Sequence, residues 1–319
     1  MNTRDERAKY AGFVHGKDNP LEQSIYIIDE CSMINLRLMC HLLQAIPEGA
    51  RLILIGDADQ LPAVGAGRIL ADLIDSGLIP CTVLRTIHRQ ADGQEDMINI
   101  NAARILSGEV PEEGPNFHIL DPDDEGRSVK ELLDAQLGGI DFDTDVVLTP
   151  LKRYAYGTYA INPSLQEQVN KKDESKGEAY YTHTTYRVGD KVMQMHNDYD
   201  LQVMNGEVGK IADASDAGMP VVIVEYPSED GTGRRVVYTQ DNLDNLQLAY
   251  ACTIHKSQGS EYRNVVLLLP DTDMLSQSLL YTGVTRAKKD VTLIGRASAI
   301  QYAVSHKEER QSYLEERMA

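Results

Sequence analysis

Five short apolar runs, each stopped by polar residues, glycine or proline, constrain this chain more than any other feature. They are IYIIDE from Ile25, RLILIGDADQ from Arg51, DVVLTPLKR from Asp145, NVVLLLP from Asn264 and DVTLIGR from Asp290. A strand with one wet face alternates apolar and polar residues, whereas unbroken Val, Ile and Leu belong to strands covered on both faces. Covering both faces takes helices, and NLRLMCHLLQAI, residues 35–46, has helical spacing. The expected class is α/β with a mostly parallel sheet. Ligands of such sheets gather beyond the carboxyl ends of the strands, so the residues that stop each run are where chemistry belongs.

Residues 183–245 follow another rule. YRVGDKVMQMHNDYD, NGEVGKIADA, VVIVEYP and RRVVYTQ are short β-type segments broken by Gly, Asn, Asp and Pro, as in a meander or small barrel. LAYACTIHKSQGSEY then leads back into the α/β pattern, so the chain leaves a domain and returns to it. The expected organisation is a first α/β domain over 1–105, a second over 106–182 and 246–319, and an all-β insert over 183–245.

A formal net charge of −18 speaks against a nucleic-acid partner, because phosphate contacts draw on Lys and Arg. The distribution of that charge weakens the objection. Between Glu109 and Asp145, 12 acidic residues stand against 2 basic ones, a local net of −10 that reads as a solvated face. RYAYGTY and TRAKK stay locally positive, which leaves room for a narrow basic track. Cys31, Cys40, Cys81 and Cys252 lie far apart with no C-x-x-C spacing, against a zinc site or a disulfide framework and in keeping with a reducing cytoplasm. No apolar run approaches the ~20 residues of a membrane span, so the expected location is cytoplasmic, with no membrane partner.

The stops carry distinctive residues. IIDECSM ends a run on Asp29 and Glu30. A carboxylate there can hold Mg²⁺ through water while its neighbour orients or deprotonates an attacking water, although a lone acidic pair is more often an acidic helix N-terminus favoured by the helix dipole. GDADQLPAVGAG adds Gln60, placed to report on a γ-phosphate; a capped Gly/Pro turn explains the loop but not this order of residues. VLRTIHRQ puts Arg89 at the end of an expected edge strand, where its planar fork can clamp a phosphoryl group or simply face solvent. YACTIHKSQGSEY concentrates phosphate-directed donors, with Gly259 permitting close approach and Glu261 able to accept from a ribose. LLYTGVTRAKKDV offers Arg286, on an expected helix, as an arginine finger.

Taken in this order, from about Phe13 to the end, the segments resemble the superfamily-one helicases, specifically the RecD-like branch that includes the exodeoxyribonuclease V alpha subunits. In that family IIDECSM is similar to motif II, GDADQLPAVGAG to motif III, the arginine of HRQ to the motif IV arginine, TIHKSQGSE to motif V and YTGVTRAKK to motif VI. VLTPLKR and NDYDLQVMNGEVG are also similar to stretches of this branch. The resemblance implies two RecA-like P-loop NTPase domains with ATP between them and single-stranded DNA crossing both. It also implies an SH3-like domain inserted in the second, which coincides with the β-rich segment. It implies an ATP-dependent DNA helicase of repair and recombination that moves 5′ to 3′, with ATP and Mg²⁺ as cofactors. It assigns Asp29 to Mg²⁺, Glu30 to water activation, Gln60, Arg89 and Arg286 to the triphosphate, and Gly259 and Glu261 to the nucleotide. Pro62, Thr149, Thr253, His255 and Lys256 are carried over as DNA-facing.

One departure matters. The family's phosphate-cradling loop reads G-x-x-x-x-G-K-[ST], and no stretch of this sequence satisfies it. GFVHGKD has three residues between its glycines and Asp after the Lys, and NGEVGKI lies in the insert. Only 28 residues precede Asp29. The expectation is the C-terminal part of a helicase, its first RecA-like domain incomplete and exposing a sheet edge and apolar surface, inactive as an ATPase alone. Expected partners are single-stranded DNA and either other subunits of a recombination nuclease or a chain supplying the loop. From a different class, a non-catalytic module that binds single-stranded DNA or a recombination partner also fits, and a phosphate loop encoded upstream would separate the two.

Overall fold

The computed structural model describes residues 13–84, 96–228, 231–308, 310 and 314. They form two compact units, Met1–His88 with Lys307–Ala319, and Arg89–His306.

In the first unit β1 (Ile25–Ile28) and β2 (Arg51–Leu54) pair in parallel, Ile25 opposite Arg51, with α1 (Leu36–Ala45) between them in sequence and α2 (Ile69–Asp75) following. Asn35 caps α1 by accepting from the Leu38 N–H at 3.0 Å. Cys31, Ile34, Met39, Ile69 and Leu70 form the core. The strand period of two turns Tyr26 inward and leaves Ile25, Ile27, Ile53 and Ile55 between 47% and 62% exposed. The unbroken apolar runs predict cover on both faces, and among the described residues only one face has it.

The chain enters the second unit through α3 (Met97–Leu106), then lays down β3 (Phe117–Leu120), α4 (Val129–Gln136), β4 (Val146–Thr149) and α5 (Thr158–Val169). It leaves for seven strands: β5 (Glu178–Tyr181), β6 (Thr184–Arg187), β7 (Lys191–Gln194), β8 (Val208–Ser215), β9 (Val221–Tyr226), β10 (Arg234–Thr239) and β11 (Leu246–Leu248). It returns with β12 (Ala251–Thr253), β13 (Tyr262–Leu269), α6 (Gln277–Val284), β14 (Ala287–Gly295) and α7 (Ala297–Ser305). The returning strands complete a wholly parallel sheet in the order β12-β4-β13-β14-β3. Val146–Thr149 and Val265–Leu269 are buried throughout, so here the unbroken runs are covered on both faces, as α/β architecture requires.

The excursion is antiparallel, with β5 against β6 and a five-stranded sheet in the order β10-β9-β8-β7-β11. It runs from Glu178 to Leu248 rather than 183–245, because β5 needs β6 as its partner and β11 returns to pair with β7. Likewise α3, expected in the first domain, packs on α6 of the second unit, and the residues from Lys307 group with the first.

A buried carboxylate joins the insert to the parallel sheet. Asp190 is fully buried and accepts from Gln166 Nε2 at 2.5 Å, Asn170 Nδ2 at 2.8 Å, the Arg187 N–H at 2.7 Å and Tyr250 Oη at 2.8 Å. Those donors come from the end of α5, the β6–β7 turn and the β11–β12 link, so one side chain fixes where the excursion leaves and returns.

Candidate functional site

In the first unit β1 delivers Asp29 and Glu30 into a sharp turn. Asp29 is exposed, and its Oδ1 accepts from the Glu30 N–H at 2.8 Å. Glu30 adopts left-handed backbone, φ 53°, a conformation that costs a non-glycine residue of order 1 kcal/mol and clusters at functional positions. The loop after β2 wraps this turn. Cys31 N–H donates to Ile55 O at 2.9 Å, Ala63 N–H to Ser32 O at 2.9 Å, Leu36 N–H to Ala66 O at 2.9 Å, and Asn35 Nδ2 to Val64 O at 3.0 Å. Gly56 permits the approach, since a Cβ there would lie 2.9 Å from Cys31 N and 3.1 Å from Ser32 N. Arg310 clamps the far side, donating to Ala63 O at 2.7 Å and Gly65 O at 3.1 Å.

Gln60 sits inside this loop with its amide oriented by Asp57, Nε2 donating to Oδ2 at 3.2 Å. Its Oε1 is buried with no hydrogen-bond partner, and so is Ser32 Oγ. Such groups are costly unless something fills them. Sequence reasoning singled out Gln60 but neither Asp57 nor Ser32, although the i, i+3 spacing of Asp57 and Gln60 was there to be seen. Pro62 is half-buried between buried Leu61 and Ala63. Asp59 carries a carboxyl pushed upward by burial and by Asp57. Arg89 lies outside the described residues.

In the second unit the expected residues converge at the carboxyl ends of β12 and β4 and around the start of β13. After β12 the chain makes a short 3₁₀ turn, Ile254–Ser257, and Gly259 takes φ 74°, a value that suits glycine. Arg286 is not on a helix as expected: α6 ends at Val284, Thr285 is its cap, and Arg286 occupies the turn before β14. Only 4% exposed, it donates to Thr282 O at 3.1 Å and Ser260 O at 3.2 Å, and its own carbonyl accepts from the Tyr262 N–H. The Arg286 side chain is thereby tied to the Gly259–Glu261 turn. Glu261 pairs with Lys288 at 2.7 Å.

The expected DNA-facing residues divide. Thr149 is fully buried; its Oγ1 donates to Tyr156 O at 2.8 Å and accepts from the Leu151 N–H at 3.3 Å, so it shapes the following loop from beneath. Thr253 and Lys256 line a narrow recess together with Lys152, Thr158 and Asn162. His255 is half-buried on the turn beside them. Thr253 Oγ1 is buried without a partner. Lys256 donates to Met195 O at 3.3 Å and to Asn205 Oδ1, and its ammonium is pushed below the usual lysine range by burial and by Lys152.

Residues 7–113 match a family model described as AAA domain, 161–226 one described as ATP-dependent RecD-like DNA helicase SH3 domain, and 248–294 one described as UvrD-like helicase C-terminal domain. The ATP-dependent RecD2 DNA helicase of Deinococcus radiodurans is 36% identical over 303 residues, covering 93% of this chain and 40% of that protein. The RecBCD enzyme subunit RecD of Mycobacterium tuberculosis is 31% identical over 336 residues, covering 97% and 56%. This chain spans about half the length of the curated relatives it matches. Among solved structures, a Pif1 helicase from Bacteroides in complex with ADP-AlF3 and ssDNA superposes with a TM-score of 0.51 at 17% identity, covering 93% of this chain and 75% of that one. That likeness bears on the fold, which is the RecA-like α/β arrangement. With a RecD-type SH3 match falling on the excursion and RecD relatives aligned along nearly its whole length, the chain belongs to the RecD-like helicase family.

Proposed function

We propose that this chain works in an ATP-dependent DNA helicase motor that translocates 5′ to 3′ on single-stranded DNA, and that these 319 residues by themselves do not hydrolyse ATP. The observation that carries the reading is the wrapped turn of the first unit, where an exposed Asp29 stands with two buried oxygens, Gln60 Oε1 and Ser32 Oγ, that have no partner. Oxygen ligands and water-bridged contacts of this kind suit Mg²⁺, which keeps several waters and is held by one or two carboxylates plus phosphates. Asp29 would hold the ion, whose chemistry when bound is to neutralise phosphate charge. Glu30 takes the proton of the attacking water, and Gln60 orients that water through its open Oε1. Arg286 and Arg89 would meet the triphosphate, with Gly259 and Glu261 beside the nucleotide. Pro62, Thr253, His255 and Lys256 would contact the DNA backbone irrespective of sequence, while Thr149 supports them.

Nothing in the sequence supplies the amide-and-lysine cradle for the β- and γ-phosphates, which is the reason for inactivity in isolation. The half-exposed Ile25, Ile27, Ile53 and Ile55 are an apolar face suited to a partner that brings such a loop, whether a separate chain or a subunit of a recombination nuclease. Purified chain given Mg-ATP and single-stranded DNA should release no phosphate above background. Turnover should appear when a loop-bearing partner is added, and Glu30→Gln should abolish it. Robust turnover by the chain alone would refute the proposal of inactivity. The second reading, a non-catalytic module, is favoured by the cationic recess of the second unit and wins if DNA binding persists while no loop-bearing partner restores turnover.

A further inference from the structure

Tyr154, on the segment between β4 and α5, has none of the roles above, yet the loop that carries it is built with unusual care. Tyr154 is 83% exposed and takes φ 71°, so a large aromatic ring is held in water on a backbone that an L-residue adopts at a cost. The loop beneath it is fixed. Gly157 N–H donates to Tyr154 O at 3.1 Å, Thr158 N–H to Leu151 O at 3.1 Å and Tyr159 N–H to Lys152 O at 3.0 Å, while Thr149 Oγ1 holds Tyr156 O from below. A Cβ at Gly157 would meet Arg153 O at 2.2 Å, so glycine alone lets the loop close. Lys152, Arg153, Tyr154 and Ala155 all face outward.

The surroundings point to a ligand. Lys152 also lines the recess that holds Lys256 and Thr253. Thr253 is 5% exposed and its Oγ1 has no partner. Among the described residues neither Lys152, Arg153 nor Lys256 forms a salt bridge with a carboxylate, in a chain whose net charge is −18. Cations kept free of carboxylates, a hydroxyl kept unpaired and an aromatic face kept in water match the three parts of a nucleotide strand. Charge meets phosphate, and a ring meets a base with little regard to its identity.

We propose that Tyr154 is a stacking platform for one nucleobase of bound single-stranded DNA, with Lys152, Lys256 and the Thr253 hydroxyl taking the neighbouring phosphate. This rests on the DNA-binding reading above and adds to it a residue that none of the assigned motifs contains. Tyr154 supplies affinity through its ring and none through charge, so its removal weakens binding without altering the salt dependence. Lys152 supplies affinity through charge, so its removal weakens binding and lowers the salt dependence as well.

The test is fluorescence anisotropy of the full chain with labelled 15-mers of thymidylate and of an abasic backbone of equal charge, each at two salt concentrations. Tyr154→Ala should weaken thymidylate binding at least about fivefold and leave abasic binding and the salt slope unchanged. Tyr154→Phe and Tyr154→Trp should stay within about twofold of the parent on thymidylate. Tyr154→Gly relieves the backbone, so it should melt at or above the parent temperature yet bind as weakly as the alanine variant, which separates loss of the ring from loss of the fold. Lys152→Ala should reduce the salt slope by about one, and Tyr180→Ala, another exposed tyrosine, should change nothing. If the parent binds thymidylate and Tyr154→Ala binds it equally well, or loses equally on both oligonucleotides, the platform is refuted while DNA binding stands. If the parent binds no single-stranded DNA, the DNA reading fails and the platform with it.

Discussion

Asp190→Asn is the sharpest test of how the insert is joined to the parallel sheet. The carboxylate meets four donors, two on each oxygen: Asn170 and Tyr250 on Oδ1, Gln166 and the Arg187 N–H on Oδ2. An ionised carboxylate offers acceptor sites to all four, whereas an asparagine amide offers one oxygen and turns two N–H groups toward the remaining donors. Two donors are then left unsatisfied in a fully buried setting, each costing about 1–3 kcal/mol, so the substitution should destabilise this unit by about 2–6 kcal/mol. Glu167→Gln supplies the contrast, since it touches the same joint through Arg187 at 2.6 Å but Glu167 is 60% exposed, and such a pair is worth about 0–1 kcal/mol. Urea unfolding followed by far-UV circular dichroism compares the two. With m of about 2–3 kcal/mol per M, Asp190→Asn should lower the midpoint by about 0.7–3 M and Glu167→Gln by less than about 0.5 M. A loss below about 0.5 kcal/mol for Asp190→Asn, or equal losses for both variants, would refute a satisfied buried carboxylate as the joint.

Gly56→Ala should open the wrapped turn of the first unit, because a Cβ 2.9 Å from Cys31 N and 3.1 Å from Ser32 N meets backbone that has no rotamer to yield; the cost is about 1–3 kcal/mol. A thiol reagent reads this locally. Cys40 and Cys81 are exposed while Cys31 and Cys252 are buried, so the variant should add rapid labelling of Cys31 to that of the first two, and unchanged labelling would contradict the packing. Burial pushes the phenols of Tyr186, Tyr226, Tyr238 and Tyr250 above their ordinary value of 10.0. A raised folded-state pKa contributes stability that is complete below pH 10 and is lost as pH climbs toward the folded value. Absorbance at 295 nm should therefore show part of the 16 tyrosines ionising late, together with loss of the circular dichroism signal. All of them ionising near pH 10 with the fold intact would overturn the assignment.

The second unit's parallel strands were readable because a strand buried on both faces has nowhere to put a polar residue, and that pressure writes itself into consecutive positions such as Val146–Leu148 and Val265–Leu269. The excursion was readable for the complementary reason, a period of two broken by turn residues, although its ends were not. Glu178 and Leu248 belong to it only because β6 and β7 lie beside them, and pairing is invisible in a single segment. The apolar runs of the first unit read like those of the second, yet Ile25 and Ile27 are half-exposed, since composition reports what a face prefers and not what covers it.

Site residues divide the same way. Which chemistry stands at which strand end is legible in residue order alone: the acids after β1, the amide after β2, and the donors after β12. Residue type and local spacing carry that information. Folding, in contrast, sets the contacts: it orients Gln60 by Asp57 with its oxygen left open, puts Thr149 beneath its loop, and takes Arg286 off its helix to hold the Ser260 carbonyl. It also sets Tyr154 in water on a fixed loop and leaves the Thr253 hydroxyl unpaired. Each of these depends on which donor meets which acceptor, and partners such as Asn162 and Ala251, bonded across 89 positions, are brought together by packing that no local pattern encodes.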